Sequence, residues 1–198
     1  MELAWKIKNI GHDLGADDIS FEPIVAFGPH SAIPHHHNTA TKLKKGDTLL
    51  VDMGMKYKGY CSDMTRTFFF GKPSAQQQKV YELVLEAQEA GIKKIKSGVA
   101  TKKVDEAARK ALGNYEEYFK HSLGHGIGLE VHEMPSLSGR STEILKENMI
   151  VTVEPGIYLD GKFGVRIEDM GRVTAKGYEN FTGAAKVFSS SIVPVRGA

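Results

Sequence analysis

The sequence has 198 residues, 41% hydrophobic and 25% charged, with a formal net charge of +2. That length supports one sizeable core, and the balance is that of an ordinary globular chain rather than a disordered or fibrous one. No basic run exceeds a few residues and no apolar run approaches the roughly 20 residues of a membrane span, so neither a nucleic-acid partner nor a membrane is expected.

In chain order, Leu3, Ile7, Ile10 and Leu14 fall on one helical face and predict an N-terminal helix stopped at Gly15. Phe21 to Phe27 reads as a strand entered through Pro23 and broken by Gly28-Pro29, and Pro34-His35-His36-His37-Asn38 follows as a polar loop. Thr48 to Met55 is the clearest strand. After the turn Lys56-Tyr57-Lys58-Gly59, a second strand runs from about Tyr60 to Phe70. Such a hairpin can set Asp52 beside Asp63. Two aspartates so placed repel unless they share a proton or bind a metal. An Asp63–Arg66 surface pair is the plainer alternative. Cys61 is the only cysteine, which excludes an internal disulfide. With no charged-then-apolar leader in view, it predicts a cytoplasmic location. The Asn180-Phe181-Thr182 sequon is then incidental.

Ser74 with Gln77 forms a capping box for a helix whose inner face is Val80, Leu83, Val84, Ala87, Gly91 and Ile95, running on to Ser97-Gly98. Thr101 opens a second helix, closed by Gly113. Both read as scaffold. Between residues 121 and 133, His121, His125 and His132 are interleaved with Gly124, Gly126 and Gly128. Glycines there permit close backbone approach, and imidazole suits metal ligation or proton transfer. A glycine-rich loop with surface histidines is the plainer reading. Met149 to Leu159 is an apolar strand interrupted by Glu154, and Phe163 to Val173 sets Arg166 and Glu168 two apart on one strand face. Gly177 to Thr182 is a turn into a polar tail.

Isolated carboxylates at core-like positions therefore recur at Asp52, Asp63, Glu154 and Glu168. An unpaired buried carboxylate is costly, and four with one histidine suit two divalent cations. Other chemistries fail on spacing. Ser136 stands where a zincin helix needs its second histidine, and Leu129 where a dinucleotide fingerprint needs its last glycine. No Gly-x-Ser-x-Gly elbow appears.

The ordered runs Val51-Asp52-Met53-Gly54, Ser62-Asp63-Met64-Thr65-Arg66-Thr67, His121-Ser122-Leu123-Gly124-His125-Gly126-Ile127-Gly128, Val153-Glu154-Pro155-Gly156 and Val165-Arg166-Ile167-Glu168-Asp169 resemble the Xaa-Pro peptidases. These form the aminopeptidase P and prolidase branch of the pita-bread metallopeptidases. The resemblance spans essentially the whole chain. Methionine aminopeptidase shares the ligand order, but Thr65-Arg66-Thr67 and Gly164 to Asp169 resemble the proline-directed branch instead.

The resemblance implies an α+β pita-bread fold, a curved and mostly antiparallel sheet with helices on its outer face. It implies one catalytic domain over residues 1–198 that lacks the N-terminal part of the family's catalytic domains. It implies a hydrolase for peptides with proline at the second position, with two divalent metals: Mn²⁺ first, Co²⁺, Fe²⁺ or Zn²⁺ as alternatives. Asp52 matches a ligand of one metal, His125 and Glu154 ligands of the other, and Asp63 and Glu168 the bridges. His35 matches a histidine near the substrate, His132 one that holds the scissile carbonyl, His121 a supporting histidine, and Arg166 the arginine beside the last bridge. A homodimer is the associated assembly. An inactive pita-bread binding module and a methionine-aminopeptidase-like activity are the alternatives.

Overall fold

The computed structural model describes residues 1–195; the last three residues of the domain expected over 1–198 lie outside the described residues. Helix α1 (Glu2–Asp13) packs Ala4 and Gly11 inward, and Gly15 at φ +95° follows its end as the glycine stop predicts. Ile10 and Leu14, expected on its inner face, are instead exposed. After β1 (Asp18–Ile19), the strand expected from Phe21 narrows to β2 (Ile24–Phe27), beginning only after Pro23 and ending as predicted where a 3-10 turn at Gly28–Ala32 follows.

The predicted hairpin is a broken ladder. Its parts are β3 (Thr48–Met53), β4 (Met55–Tyr57), β5 (Tyr60–Cys61) and β6 (Met64–Phe70). Gly54 marks the break, since a Cβ there would lie 2.0 Å from the Ser62 carbonyl oxygen. Asp52 opposes Thr65 in the register, so Asp63 is not its cross-strand partner but stands in the gap before β6. Helix α2 (Ala75–Ile92) has the predicted Ser74–Gln77 capping box yet ends five residues short of Ser97. Helix α3 (Thr101–Leu112) is capped by Ala100 rather than by Thr101, whose hydroxyl bonds Ser141 Oγ at 2.8 Å.

The glycine–histidine stretch is not a loop throughout. Gly124–Gly126 forms β7, paired with β8 (Glu133–Leu137) and with β9 (Ile150–Val153). Gly124 is required there, because a Cβ would sit 2.0 Å from the Thr152 carbonyl oxygen. The long strand expected over Met149–Leu159 splits at Glu154-Pro155 into β9 and β10 (Gly156–Leu159). The one expected over Phe163–Val173 splits at Ile167-Glu168 into β11 (Phe163–Arg166) and β12 (Asp169–Val173). Arg166 and Glu168 therefore do not share a strand face. Tyr178–Asn180 is a strand, β13, where a turn was expected, and the tail adds a 3-10 turn at Phe188–Ser191 and β14 (Ile192–Val193).

Two main sheets result, in the orders β13-β12-β9-β7-β8 and β14-β6-β3-β2, antiparallel except where β14 runs parallel to β6. Smaller sheets β1-β4-β5 and β10-β11 complete the α+β architecture. Val80, Val84 and Ala87 of α2 and Val104 and Ala108 of α3 close over Val151, Val153, Val165 and Ile167 in the main core. Ala4 of α1 joins Val25 and Leu49 in a second. Among the described residues, no helix is long and apolar enough to cross a membrane.

The two sheets are tied together by a buried charge cluster. Arg66 is 3% exposed; its Nη2 lies 2.6 Å from Asp169 Oδ1, and its Nη1 donates to the Glu168 carbonyl. Lys186 approaches the other Asp169 oxygen and donates to Gln88 of α2 at 2.6 Å, pinning the C-terminal tail across the same point. Removing one member of a buried pair leaves the other charge uncompensated. Asp169→Asn, which keeps the shape and deletes the charge, is expected to lower unfolding free energy by about 3–5 kcal/mol in urea titrations.

Candidate metal centre

The strand breaks explain the site. Asp63, Glu154 and Glu168 stand in the gaps or at the ends of strands, while Asp52 and His125 sit within β3 and β7. A residue at a break is freed from the pleat's strict alternation and can turn its side chain to a common point. All nine residues singled out in the sequence line one cavity of about 530 Å³: Asp52, Asp63, His125, Glu154, Glu168, His35, His121, His132 and Arg166.

Ligand atoms of Asp63, His125 and Glu168 lie within 4.8 Å of one another. His125 Nδ1 donates to the Gly126 carbonyl (3.0 Å), which leaves Nε2 facing Glu154 Oε1 at 3.3 Å and Asp63 Oδ2 at 3.7 Å. Thr152 Oγ1 donates to Glu154 Oε1 (3.2 Å) and accepts from the His125 backbone N–H (3.1 Å). Thr65 Oγ1 donates to Glu168 Oε2 at 2.7 Å. Arg166 Nη2 donates to Asp52 Oδ2 at 2.6 Å, an ion pair almost wholly removed from water.

Four carboxylates so close cannot all ionise cheaply. Burial, then the charges of Asp52 and Glu154, pushes the Asp63 carboxyl up to about 8. Burial, then Asp63, Glu154 and Asp52, raises Glu168 well above the carboxylate range. Asp52 is also raised by burial, which the Arg166 charge opposes without cancelling. Glu154 moves the other way. Burial would raise it, but the His125 hydrogen bond and the charges of His121, His125 and Arg166 hold it low. Burial likewise depresses His125, yet its bond to Glu154 and the charges of Glu154 and Asp63 leave it raised.

Whether these residues suit metal can be judged from unpaired atoms. Asp52 Oδ1, Asp63 Oδ1 and Glu168 Oε1 are buried with no hydrogen-bond partner among the described residues. Orphaned buried oxygens are rare in folded proteins and call for an explanation. Three on carboxylates around one cavity, with an imidazole nitrogen among them, fit hard divalent cations of the Mn²⁺ kind. The residues present fit the group.

A polar relay lies behind them. Arg166 Nη1 donates to the Tyr158 hydroxyl (2.8 Å), and that hydroxyl donates to His121 Nε2 (2.7 Å) while His121 Nδ1 donates to the Ser122 carbonyl. Burial, opposed by Arg166, raises Tyr158 to about 12, so it keeps its proton. Sequence reasoning missed Tyr158, because in the apolar run Gly156–Leu159 it reads as a core aromatic. Thr65 and Thr152 were missed as well. Thr65 lay inside the run 65–67, but its hydroxyl carried no signal of its own.

The histidine loop after Pro34 is only partly solvated. His36 is 8% exposed and stacks 4.8 Å from His30, while His35 stays exposed at the cavity wall. Asn38 fastens this loop to the sheet, accepting from the Val25 N–H and donating to the Pro23 carbonyl. The His132 ring stands 4.3 Å from that of His125.

With this geometry in hand, a model of metallopeptidase family M24 matches residues 1–175. An uncharacterized peptidase of Staphylococcus saprophyticus is 48% identical over 174 residues, covering 87% of this chain and 50% of its own. Two solved structures are similar. The X-Pro aminopeptidase from Thermotoga maritima has a TM-score of 0.93 at 43% identity, over 98% of this chain and 55% of that one. The Xaa-Pro dipeptidase from Bacillus anthracis has 0.94 at 44%, over 97% and 54%. The chain spans about half the length of the proteins it matches.

Asp63→Asn separates ligation from folding. Calorimetric titration with Mn²⁺ is expected to show uptake weakened by about tenfold or more, because a ligand oxygen is lost. Thermal melts in chelator are expected to show a midpoint no lower than that of the parent chain, because one of four repelling carboxylates has gone.

Proposed function

The chain belongs to metallopeptidase family M24, and from that premise we propose that it is the catalytic domain of a two-metal exopeptidase cutting between an N-terminal residue and a following proline. The observation that carries this reading is the convergence of four carboxylates and His125 on one cavity with three carboxylate oxygens unpaired. In this reading Asp52 would help hold one divalent cation and His125 and Glu154 the other, with Asp63 and Glu168 serving both. Mn²⁺ is the proposed ion, and a lone cysteine supports a cytoplasmic site of action. Bound divalent cations supply acidified water and Lewis-acid polarisation of a carbonyl.

The chain's own residues supply the rest. Glu154, held ionised by His125, has the charge to accept a proton from attacking water and return it to the departing proline nitrogen. His132 stands in the cavity wall, its pKa lowered by burial and then by the charge of His125. A neutral imidazole there can donate to the oxygen that gains charge as the carbonyl becomes tetrahedral. Arg166 neutralises Asp52 and, through Tyr158, fixes the tautomer of His121. His35 faces the same space from the loop after Pro34.

Substrate choice follows from the rest of the wall. A residue–proline bond has no N–H and carries a ring, so recognition must work by shape rather than by strand-like hydrogen bonding. Phe21, Ile24 and Val131 add apolar side chains to the cavity wall. The test is hydrolysis of an Xaa-Pro dipeptide and an Xaa-Pro-Xaa tripeptide, each beside its alanine counterpart, with Mn²⁺ added. Proline-dependent cleavage is expected, and equal or faster cleavage of the alanine peptides overturns the assignment. The preferred length then separates dipeptidase from aminopeptidase.

Two substitutions probe the roles. Glu154→Gln is expected to lower kcat by about 10²–10⁴, since it removes the proton acceptor. His132→Ala is expected to lower kcat by about 10²-fold or more with metal content unchanged, measured by elemental analysis. Loss of metal in the His132 variant would reverse its role with that of His125.

A further inference from the structure

A second concavity, away from the metal centre, lies on the helical face, between the end of α2, the outer side of α3 and the turn that joins β12 to β13. It encloses about 900 Å³ and is lined by six lysines: Lys93, Lys94, Lys96, Lys103, Lys110 and Lys176. One acid, Glu106, lies among them. The chain as a whole carries 26 basic and 24 acidic side chains, so six against one is a segregation of charge and not its average.

None of the six ammonium groups has an ion-pair or hydrogen-bond partner among the described residues. Glu106 stands three residues from Lys103 and four from Lys110, spacings at which helical pairs form, yet it pairs with neither. Lys93 and Lys94 follow the C-terminus of α2, and Lys110 sits in the last turn of α3; the helix dipole favours cations at those ends. Lys103 has no such support, since it stands in the first turn of α3, which holds no acidic residue. Lys96 and Lys176 come from loops. Three of the lining lysines, Lys96, Lys103 and Lys176, thus have no helix C-terminus to favour them there.

The chemistry of the lining identifies the occupant. Lysines are point charges on flexible stems and match phosphate by charge, without the planar fork that reads one geometry. No arginine lines the groove. Its one aromatic, the partly buried Tyr178, turns its hydroxyl to the Val151 and Asp169 carbonyls and so away from a ligand in the groove. Partly buried Ile92, Val99 and Ala107 form the floor. The groove is open to solvent, and its volume falls within the range of small-ligand sites. We propose that this groove binds a short linear oligophosphate, the chain of phosphates shared by a nucleoside triphosphate and inorganic tripolyphosphate. The proposal does not depend on the peptidase reading, because none of these residues lines the metal cavity.

The test is calorimetric titration of the chain with sodium tripolyphosphate, ATP and a single-stranded oligoribonucleotide. EDTA is present throughout, so that no phosphate is held at the metal centre. The same titrations are run on the Lys96→Glu, Lys103→Glu, Lys176→Glu triple variant. All three positions are exposed, and unchanged thermal melts and unchanged peptidase rates would show the variant intact. Tripolyphosphate is expected to bind the parent chain and to bind the variant about tenfold or more weakly, with affinity falling as salt rises. ATP matching tripolyphosphate assigns recognition to the phosphate chain alone, and ATP binding tighter assigns the nucleotide; both uphold the proposal. No binding, binding indifferent to the substitutions, or an oligoribonucleotide held more tightly than tripolyphosphate through the same lysines would each overturn it.

Discussion

Four carboxylates, each largely removed from water, line one cavity, and their mutual repulsion is the constraint on which the rest of the structure depends. Asp52, Asp63, Glu154 and Glu168 cannot be brought together by apolar packing alone, because desolvation and like charge both oppose it. The fold answers in part with its own basic side chains. Arg166 holds Asp52, and His125 holds Glu154. Behind the site, Arg66 and Lys186 close on Asp169, the residue next to Glu168. What stays unanswered by protein atoms is one oxygen each on Asp52, Asp63 and Glu168. That remainder is where a divalent cation belongs.

The same demand explains why the strands are short. An uninterrupted strand would send alternate side chains to opposite faces. Breaks at Gly54, Ser62-Asp63, Glu154-Pro155 and Ile167-Glu168 let successive segments change sheets, and Asp63, Glu154 and Glu168 stand at those changes. Close backbone approach does the remaining work. At Gly54 and Gly124 the neighbouring carbonyl comes so near that any side chain would collide with it. Helices α2 and α3 close the core on the other side of the central strands, and Gln88 of α2 donates to the Val153 carbonyl directly before Glu154. The scaffold therefore reaches the site through hydrogen bonds as well as through packing.

Behind the carboxylates, polar groups are linked in series rather than in isolated pairs. Asp52, Arg166, Tyr158 and His121 form one chain of hydrogen bonds, and Thr65 joins Arg166 to Glu168. In a low-dielectric interior such a network is costly when incomplete and rigid when satisfied. A rigid second layer holds the residues in front of it at fixed angles, as a reaction at one carbonyl demands.

Seven of the nine cavity residues were legible in the sequence because each violates its surroundings, as a carboxylate in an apolar run or a histidine among glycines, whereas His35 and Arg166 came only from the family resemblance. Burial selects against such residues unless they have work to do, so their order along the chain carried the family resemblance and with it the α+β fold. Tyr158 broke no local pattern, and Thr65 showed nothing beyond the motif around it, so their roles stayed hidden. Asp63 was expected beside Asp52, yet Thr65 stands there, because the register set at the turn by Tyr57↔Tyr60 continues unchanged through Met53↔Met64. The lysine groove was hidden for another reason: its charges come from residues 93–96, 103, 110 and 176, and no stretch of sequence is markedly basic. The sequence by itself determined which groups can do chemistry, since that depends on residue type and on local hydrophobicity. Only the tertiary structure decided which of them face one another, because strand breaks, register and helix packing are set by contacts between residues far apart in the chain.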